Sequence, residues 1–290
     1  MMMMIKHINL KPVLLLAIIL SAASACTERI EIELDETYTR LVVDGQITTD
    51  DNANHKIFLS KSTSYFYNEP PPPVSGASVQ VIDDQGTVTL LSEEAPGIYN
   101  LPAGFKAEIG AEYTLDILLK EEIDGEKNYT ARSGTPNIND TVYIGLEWEP
   151  DWGESGYVIV TCYYWDPPEA NWYMFNIYKN DTLLTDTLSK KQVVDDRFYN
   201  GGFTNGIGVG YLDQSNEREK VRPGDVITFQ AASVTEGYAN YIWQVQEEIS
   251  FNTPLFSGPP ANVYGNLSGG AIGYFTSYSV IYAETTVELQ

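Results

Sequence analysis

The chain has 290 residues and is strongly acidic, with 40 aspartates and glutamates against 17 lysines and arginines and a formal net charge of −23. That charge excludes nucleic acid as a partner, because phosphates would meet repulsion rather than a basic face. Two cysteines and two histidines are too few for a disulfide framework or a structural zinc site.

The first 26 residues set the compartment. A basic head with Lys6, His7 and Lys11 precedes an apolar run at 13–20 (VLLLAIIL), and small residues at 21–25 lead to Cys26. This is the layout of a secretion signal (1–25) ending in a lipobox, although Ala23 stands where that pattern prefers leucine. Eight apolar residues are too few to cross a bilayer, which takes about 20. The expectation is therefore a chain lipidated at Cys26, anchored by acyl tails through a short tether at 26–37. Thr27 lacks the aspartate that favours inner-membrane retention, so the outer membrane is the expected destination, and the acidic TERIEIELDE stretch loosely resembles surface-export signals. Loss of the two lysines Lys6 and Lys11 takes the charge from −23 to −25, leaving the lipid as the membrane contact.

After the tether, residues 41–47 (LVVDGQI) read as strand residues with a turn or bulge at Asp44-Gly45. A strand at 57–61 leads to a stiff proline loop at 65–73 (YFYNEPPPP), whose prolines cannot donate to a ladder. Val79 and Val81 alternate with polar residues, a turn follows at 83–86, and 87–91 returns. Tyr113, Leu115, Ile117 and Leu119 then share one face, which is strand periodicity. About seven short strands in 38–134 predict an immunoglobulin-like or transthyretin-like sandwich. Residues 134–140 (GTPNIND) read as a linker.

A second β-sandwich-like domain is expected over 141–290. Val142, Ile144, Leu146 and Trp148 fall on one strand face, and 157–165 and 172–178 are aromatic-rich strands. Between 234 and 250 lies the one helix. Ser233 and Glu236 have capping-box spacing, and Tyr238, Tyr241, Ile242, Val245 and Ile249 form an apolar stripe from which Trp243 points away. The chain is expected to end in an edge or closing strand at 279–289. The fold class is thus mainly β, two sandwiches with a single helix.

Four runs carry a family resemblance: LVVDGQIT at 41–48, PPVSGASVQV at 72–81, WDPPEANWYMF at 165–175 and PPANVYGNLSGGAIGYFTSYSV at 259–280. The chain resembles the bacterial outer-membrane lipoprotein family numbered 4249 among the domains of unknown function. The resemblance implies a lipoprotein of bacteria rich in TonB-dependent receptors, often encoded beside such a receptor. The family carries no established activity, so no catalytic residue transfers.

Catalytic chemistry has little to draw on. His55 is the one histidine beyond the signal, no G-x-S-x-G run is present, and Cys162 sits in an apolar strand. Glu147, Glu149, Asp151, Asp166 and Glu169 could supply a glycosidase pair, but no spacing singles one out. The glycine clusters at 206–210 and 269–273 do not lead from strand to helix, so they are not phosphate cradles. No EF-hand spacing is present either, and no metal or cofactor is expected.

The informative constellation is aromatic. Trp148, Trp152, Trp165 and Trp172 crowd into 25 residues among tyrosines and carboxylates. Such rings either fill a core or anchor partners, and the expected contact residues are Trp152, Trp165, Trp172 and Trp243. The sequence therefore reads as a non-catalytic accessory or ligand-handling partner of a TonB-dependent transporter. The alternative is an independent surface protein binding glycans or proteins, and a glycoside hydrolase is a distant third. For the anchor, Cys26→Ser is expected to move the protein from the membrane fraction to the soluble fraction; mass spectrometry finding a free thiol on the mature wild-type terminus would refute lipidation.

Overall fold

Period-two alternation of buried and exposed residues marks many of the strands, and a computed structural model describes the chain over residues 38–63, 69–250 and 263–288. The expected signal, Cys26 and the expected tether at 26–37 lie outside the described residues, as does part of the proline loop. In the first half run β1 (Leu41–Thr48), β2 (Lys56–Lys61), β3 (Ser78–Asp83), β4 (Val88–Leu90), β5 (Ser92–Ala95), β6 (Ile98–Asn100), β7 (Glu112–Ile123) and β8 (Glu126–Gly134). The second half adds β9 (Val142–Glu149), β10 (Tyr157–Tyr164), β11 (Trp172–Lys179), β12 (Thr182–Leu183), β13 (Gln192–Asp195), β14 (Ile207–Asp213), β15 (Val226–Val234) and β16 (Ile272–Thr286). One helix, α1 (Glu236–Ser250), is described between β15 and β16.

The strands form three sheets. A large one runs β12-β11-β15-β16-β1-β2-β6-β5, with β13 also on β11; smaller ones run β4-β3-β7-β8 and β14-β10-β9. Side-chain parity shows how they stack. Leu41, Val43, Ile57 and Leu59 meet Val79, Leu115, Ile117 and Tyr129 in a first core, which reaches Phe275 on β16. Phe175, Ile177, Ile227 and Phe229 meet Val158, Val160, Cys162 and Val209 in a second core, which reaches Ile281 and Ala283. Phe275, Ile281 and Ala283 share one parity, so both small sheets cover the same face of the large sheet. Met174, Ala232, Val234 and Tyr278 have the opposite parity and receive Tyr238, Ala239 and Ile242 of α1.

The two predicted sandwiches are thus two cores of one unit, divided near the expected linker and joined through a common sheet. β16 is the join. It pairs parallel with β1 (Asp44↔Tyr274 through Thr48↔Tyr278) and then antiparallel with β15 (Ser233↔Ser279 through Val226↔Thr286). Between the cores its inward side chains are small. Ser277 N–H donates to Ser133 Oγ at 2.8 Å, and Ser279 Oγ donates to the Pro136 carbonyl at 2.7 Å. The linker therefore lies across β16 in a polar seam.

Several local expectations change. β16 begins at Ile272 and sits inside the sheet between β15 and β1, where an edge or closing strand at 279–289 was expected. Asp44-Gly45 makes no turn: β1 is continuous, and a Cβ on Gly45 would stand 2.7 Å from Ile57 Cδ1 and 3.2 Å from the Phe275 ring. Glycine is there to let a strand and a ring close in. The helix is capped by Thr235, whose Oγ1 accepts from Tyr238 N–H at 3.3 Å, whereas Ser233 is wholly buried in β15.

The glycine-rich run before β16 proves structural. Asn266 donates to the Arg132 carbonyl at 2.9 Å and the Phe275 carbonyl at 2.7 Å, and accepts from Phe275 N–H at 3.0 Å. Its amide thereby satisfies β16 where no strand pairs on that side, as buried backbone requires. Gly273, at φ +101°, lies against Val43, where a Cβ would collide with the Val43 carbonyl oxygen. Gly270, at φ +74°, has open space around it. Gly273→Ala is expected to cost more than about 2 kcal/mol in urea unfolding, against about 1 kcal/mol for Gly270→Ala. Equal losses would refute the close-approach account.

Candidate functional site

The exposed aromatics converge on the outer face of the β14-β10-β9 sheet. In β10, Val158, Val160, Cys162 and Tyr164 point into the second core, so Tyr157, Ile159, Thr161 and Tyr163 point outward. Tyr163 pairs across with Tyr143, and Ile159 with Tyr211. At one end of the strand the 150–156 turn carries Trp152, stacked on Tyr211 (centroids 6.4 Å, planes 21° apart) and edge-on to Tyr157 at 6.5 Å. At the other end Trp165 lies 5.1 Å from Phe203, which lies 6.4 Å from Tyr163. Trp152 is 47% exposed, Trp165 64% and Tyr143 67%. The two clusters are separated by the length of β10, about 25 Å at 3.3 Å per residue.

Local sequence explains why these rings lie flat. The cluster at 206–210 is where β14 pairs with β10 through a bulge between Val160 and Thr161. A Cβ on Gly206 would press on the Tyr163 ring at 2.9–3.1 Å, and one on Gly208 would meet the Tyr211 hydroxyl at 2.7 Å. Glycine leaves room for each ring to cover the strand beside it. The result is a fixed aromatic strip bordered by carboxylates of Glu147, Glu149 and Asp213.

The four predicted contact tryptophans divide in two. Trp152 and Trp165 form the ends of the strip. Trp172 and Trp243 are on the helix side, packed against the third core, and the Trp243 indole N–H donates to the Val193 carbonyl at 3.1 Å. Their role is to seat α1 on β11 and β13 rather than to face a partner. Trp148 instead lines a cavity of about 430 Å³ at the end of the second core, with Leu146, Val158, Val221, Pro223 and Val287. Tyr143, Phe203 and Tyr211 belong to the strip and went unnoticed in the sequence, because only register and a loop from 196–206 bring them to it.

Polar groups on the helix-side face were not foreseen either. Lys191 Nζ donates to Asn176 Oδ1 at 2.7 Å, Asn176 Nδ2 to Gln230 Oε1 at 2.5 Å, Gln230 Nε2 to the Tyr282 hydroxyl at 2.6 Å, and that hydroxyl to Asp50 Oδ2 at 2.7 Å. Nearby, a cavity of about 300 Å³ is lined by Asp44, Gln46, His55, Lys56, Phe58 and Tyr278.

The scarce reactive groups are committed to structure. His55 is buried, its Nε2 accepts from Thr48 N–H at 3.0 Å, and burial lowers its pKa. Cys162 lies inside the second core, where burial pushes its thiol up to about 12. Asp166 is buried and accepts from the Tyr173 hydroxyl at 2.6 Å and from Gly201 N–H at 3.1 Å. Among the described residues no three His, Cys, Asp or Glu side chains are placed to hold a metal ion, and no helix is long and apolar enough to cross a membrane.

A family model described as "Domain of unknown function (DUF4249)" matches residues 27–282. No curated protein matches the chain. Among solved structures, a DUF4785 family protein from Legionella pneumophila is similar at a TM-score of 0.25 and 9% identity, over 69% of this chain and 54% of that one. The chain thus spans about half the length of that structure, and a likeness so slight carries no argument.

With a pKa near 12, the Cys162 thiol holds only about 10⁻⁴ of its population as thiolate at pH 8. The folded protein is therefore expected to react with a thiol reagent at pH 8 more than ~100-fold slower than the urea-unfolded chain; comparable rates would refute the buried placement.

Proposed function

The chain belongs to the DUF4249 family, and from that membership we propose a binding role without chemistry: a lipid-anchored outer-membrane protein that serves as accessory or ligand-handling partner of a TonB-dependent transporter. The observation that carries this reading is the exposed aromatic strip from Trp152 to Trp165. Large rings left in water on a fixed surface are what protein interfaces use as anchors, because Trp and Tyr contribute much contact area for little side-chain entropy. Apart from Tyr143, each ring is held by another ring or by a glycine beneath it, so little order remains to be imposed on docking.

The commitment of His55, Cys162 and Asp166 to internal contacts supports a role without catalysis. The acidic rim of Glu147, Glu149 and Asp213 favours a partner that presents basic groups around an apolar centre. The cavity beside Trp148 is of a size to hold a small ligand. Acyl chains at Cys26 would confine the protein to the membrane plane, which raises its effective concentration beside a membrane partner without any new contact.

A photo-crosslinking residue placed at Trp165 in the lipidated protein, activated in intact cells, is expected to give an adduct with an outer-membrane β-barrel receptor. Trp152→Ala is expected to reduce that adduct several-fold while leaving the folded protein intact. Adducts with only soluble proteins or other copies of this chain would overturn the reading, and glycan-array binding lost in Trp152→Ala would replace it with an independent surface binder.

A further inference from the structure

The helix-side face carries a pair of groups in reacting order. β13 pairs with β11 as far as Phe175↔Gln192; the next residue on β11 is Asn176, and the one just before β13 is Lys191. Their side chains meet, with Nζ 2.7 Å from Oδ1. Asn176 is only 4% exposed, and its carbonyl oxygen takes a second hydrogen bond, from Thr185 Oγ1 at 3.0 Å. Its nitrogen is held by Gln230 Oε1 at 2.5 Å, which fixes the plane of the amide. The Thr185 donor on the amide oxygen draws electron density from the carbon, as an oxyanion site does for acyl transfer.

The amine is set up correspondingly. Burial pushes Lys191 down to about 8 against the attraction of Asp44 and Asp186, so about a tenth of the amine is neutral at pH 7. Asp44, whose charge acts on Lys191, has its own carboxyl pushed up by burial. An amine nucleophile and a polarised primary amide brought together by the fold are the two partners of amide exchange, and proximity replaces what would be a prohibitively slow reaction in solution.

We propose that Lys191 and Asn176 join in an intramolecular isopeptide bond. The neutral Nζ adds to Asn176 Cγ, and the carbonyl electron pair moves onto Oδ1, where the Thr185 hydroxyl donates. The proton that Nζ loses is taken up by Nδ2. The carbonyl re-forms, the Cγ–Nδ2 bond breaks, and ammonia leaves; one amide replaces another and no oxidant or reductant is needed. The link ties β11 to the segment that supports α1, where Gln246 Nε2 donates to the Leu188 and Lys191 carbonyls at 2.8 and 2.7 Å. Like a disulfide closing a short loop, it restricts the unfolded chain without requiring an oxidising compartment.

Mass spectrometry of the purified mature protein decides the matter. Tryptic digestion of wild type is expected to give one branched peptide joining the Asn176 and Lys191 segments, lighter by one ammonia than their sum and uncut after Lys191. Lys191→Arg and Asn176→Ala are expected to give only linear peptides from folded protein. Linear peptides alone from wild type would overturn the proposal.

Discussion

The structure hangs on the double pairing of one strand. β16 is parallel to β1 along its first half and antiparallel to β15 along its second, so the sheet beneath the first core and the sheet beneath the second are continuous through it. Its inward face reads Phe275, Ser277, Ser279, Ile281 and Ala283: a large ring for one core, two small hydroxyls where the linker crosses, and aliphatics for the other core. A bulky residue at either serine would have to displace the 133–136 backbone. Such a strand joins two ends of the chain separated by more than two hundred residues, and contacts of that separation form late because loop closure precedes their reward. β1 therefore waits for the last part of the chain before its sheet is complete.

That constraint explains the glycine-rich motif ahead of β16. A strand that changes partners midway leaves one side unpaired where the first partner lies on the other, and buried backbone there needs acceptors and donors from elsewhere. Asn266 supplies them with one amide, Ser268 bonds the edge of β8, and Gly273 lets β16 approach β1 at a backbone angle closed to other residues. The residues that carry the family resemblance thus serve assembly of the sheet, which fits motifs made of turns and glycines and free of reactive groups.

The surface is organised by the same pleat. Alternation in β10 sends one set of residues into the second core and the other outward, so a core strand and an aromatic strip are two faces of one segment. The strip is held by ring-on-ring and ring-on-glycine contacts, not by burial. In a protein this acidic, the aromatic area framed by carboxylates is the part of the surface best suited to persistent contact.

How much of this the residues announced depends on the range of the interaction. Tyr113, Leu115, Ile117 and Leu119, or Val142 through Trp148, alternate because a sheet has period two, and the cores follow directly. The 236–250 helix was legible from its stripe, but its cap was not, since Thr235 and Ser233 have equivalent chemistry and only the extent of β15 decides between them. Gly45 shows the limit: after an aspartate it signals a turn, yet the Ile57 and Phe275 side chains make it a point of close approach within a strand. The tryptophans divide for the same reason, Trp243 being turned inward by the Val193 carbonyl while Trp152 is left on Tyr211.

The sequence alone determined the class of structure, the acidity, the family and the poverty of reactive groups, because these follow from composition, short-range periodicity and motif. Only the tertiary structure decided that both cores share a sheet, which aromatics remain in water, and that Lys191 meets Asn176. Those outcomes depend on strand register and side-chain encounters between distant segments, which no local pattern encodes.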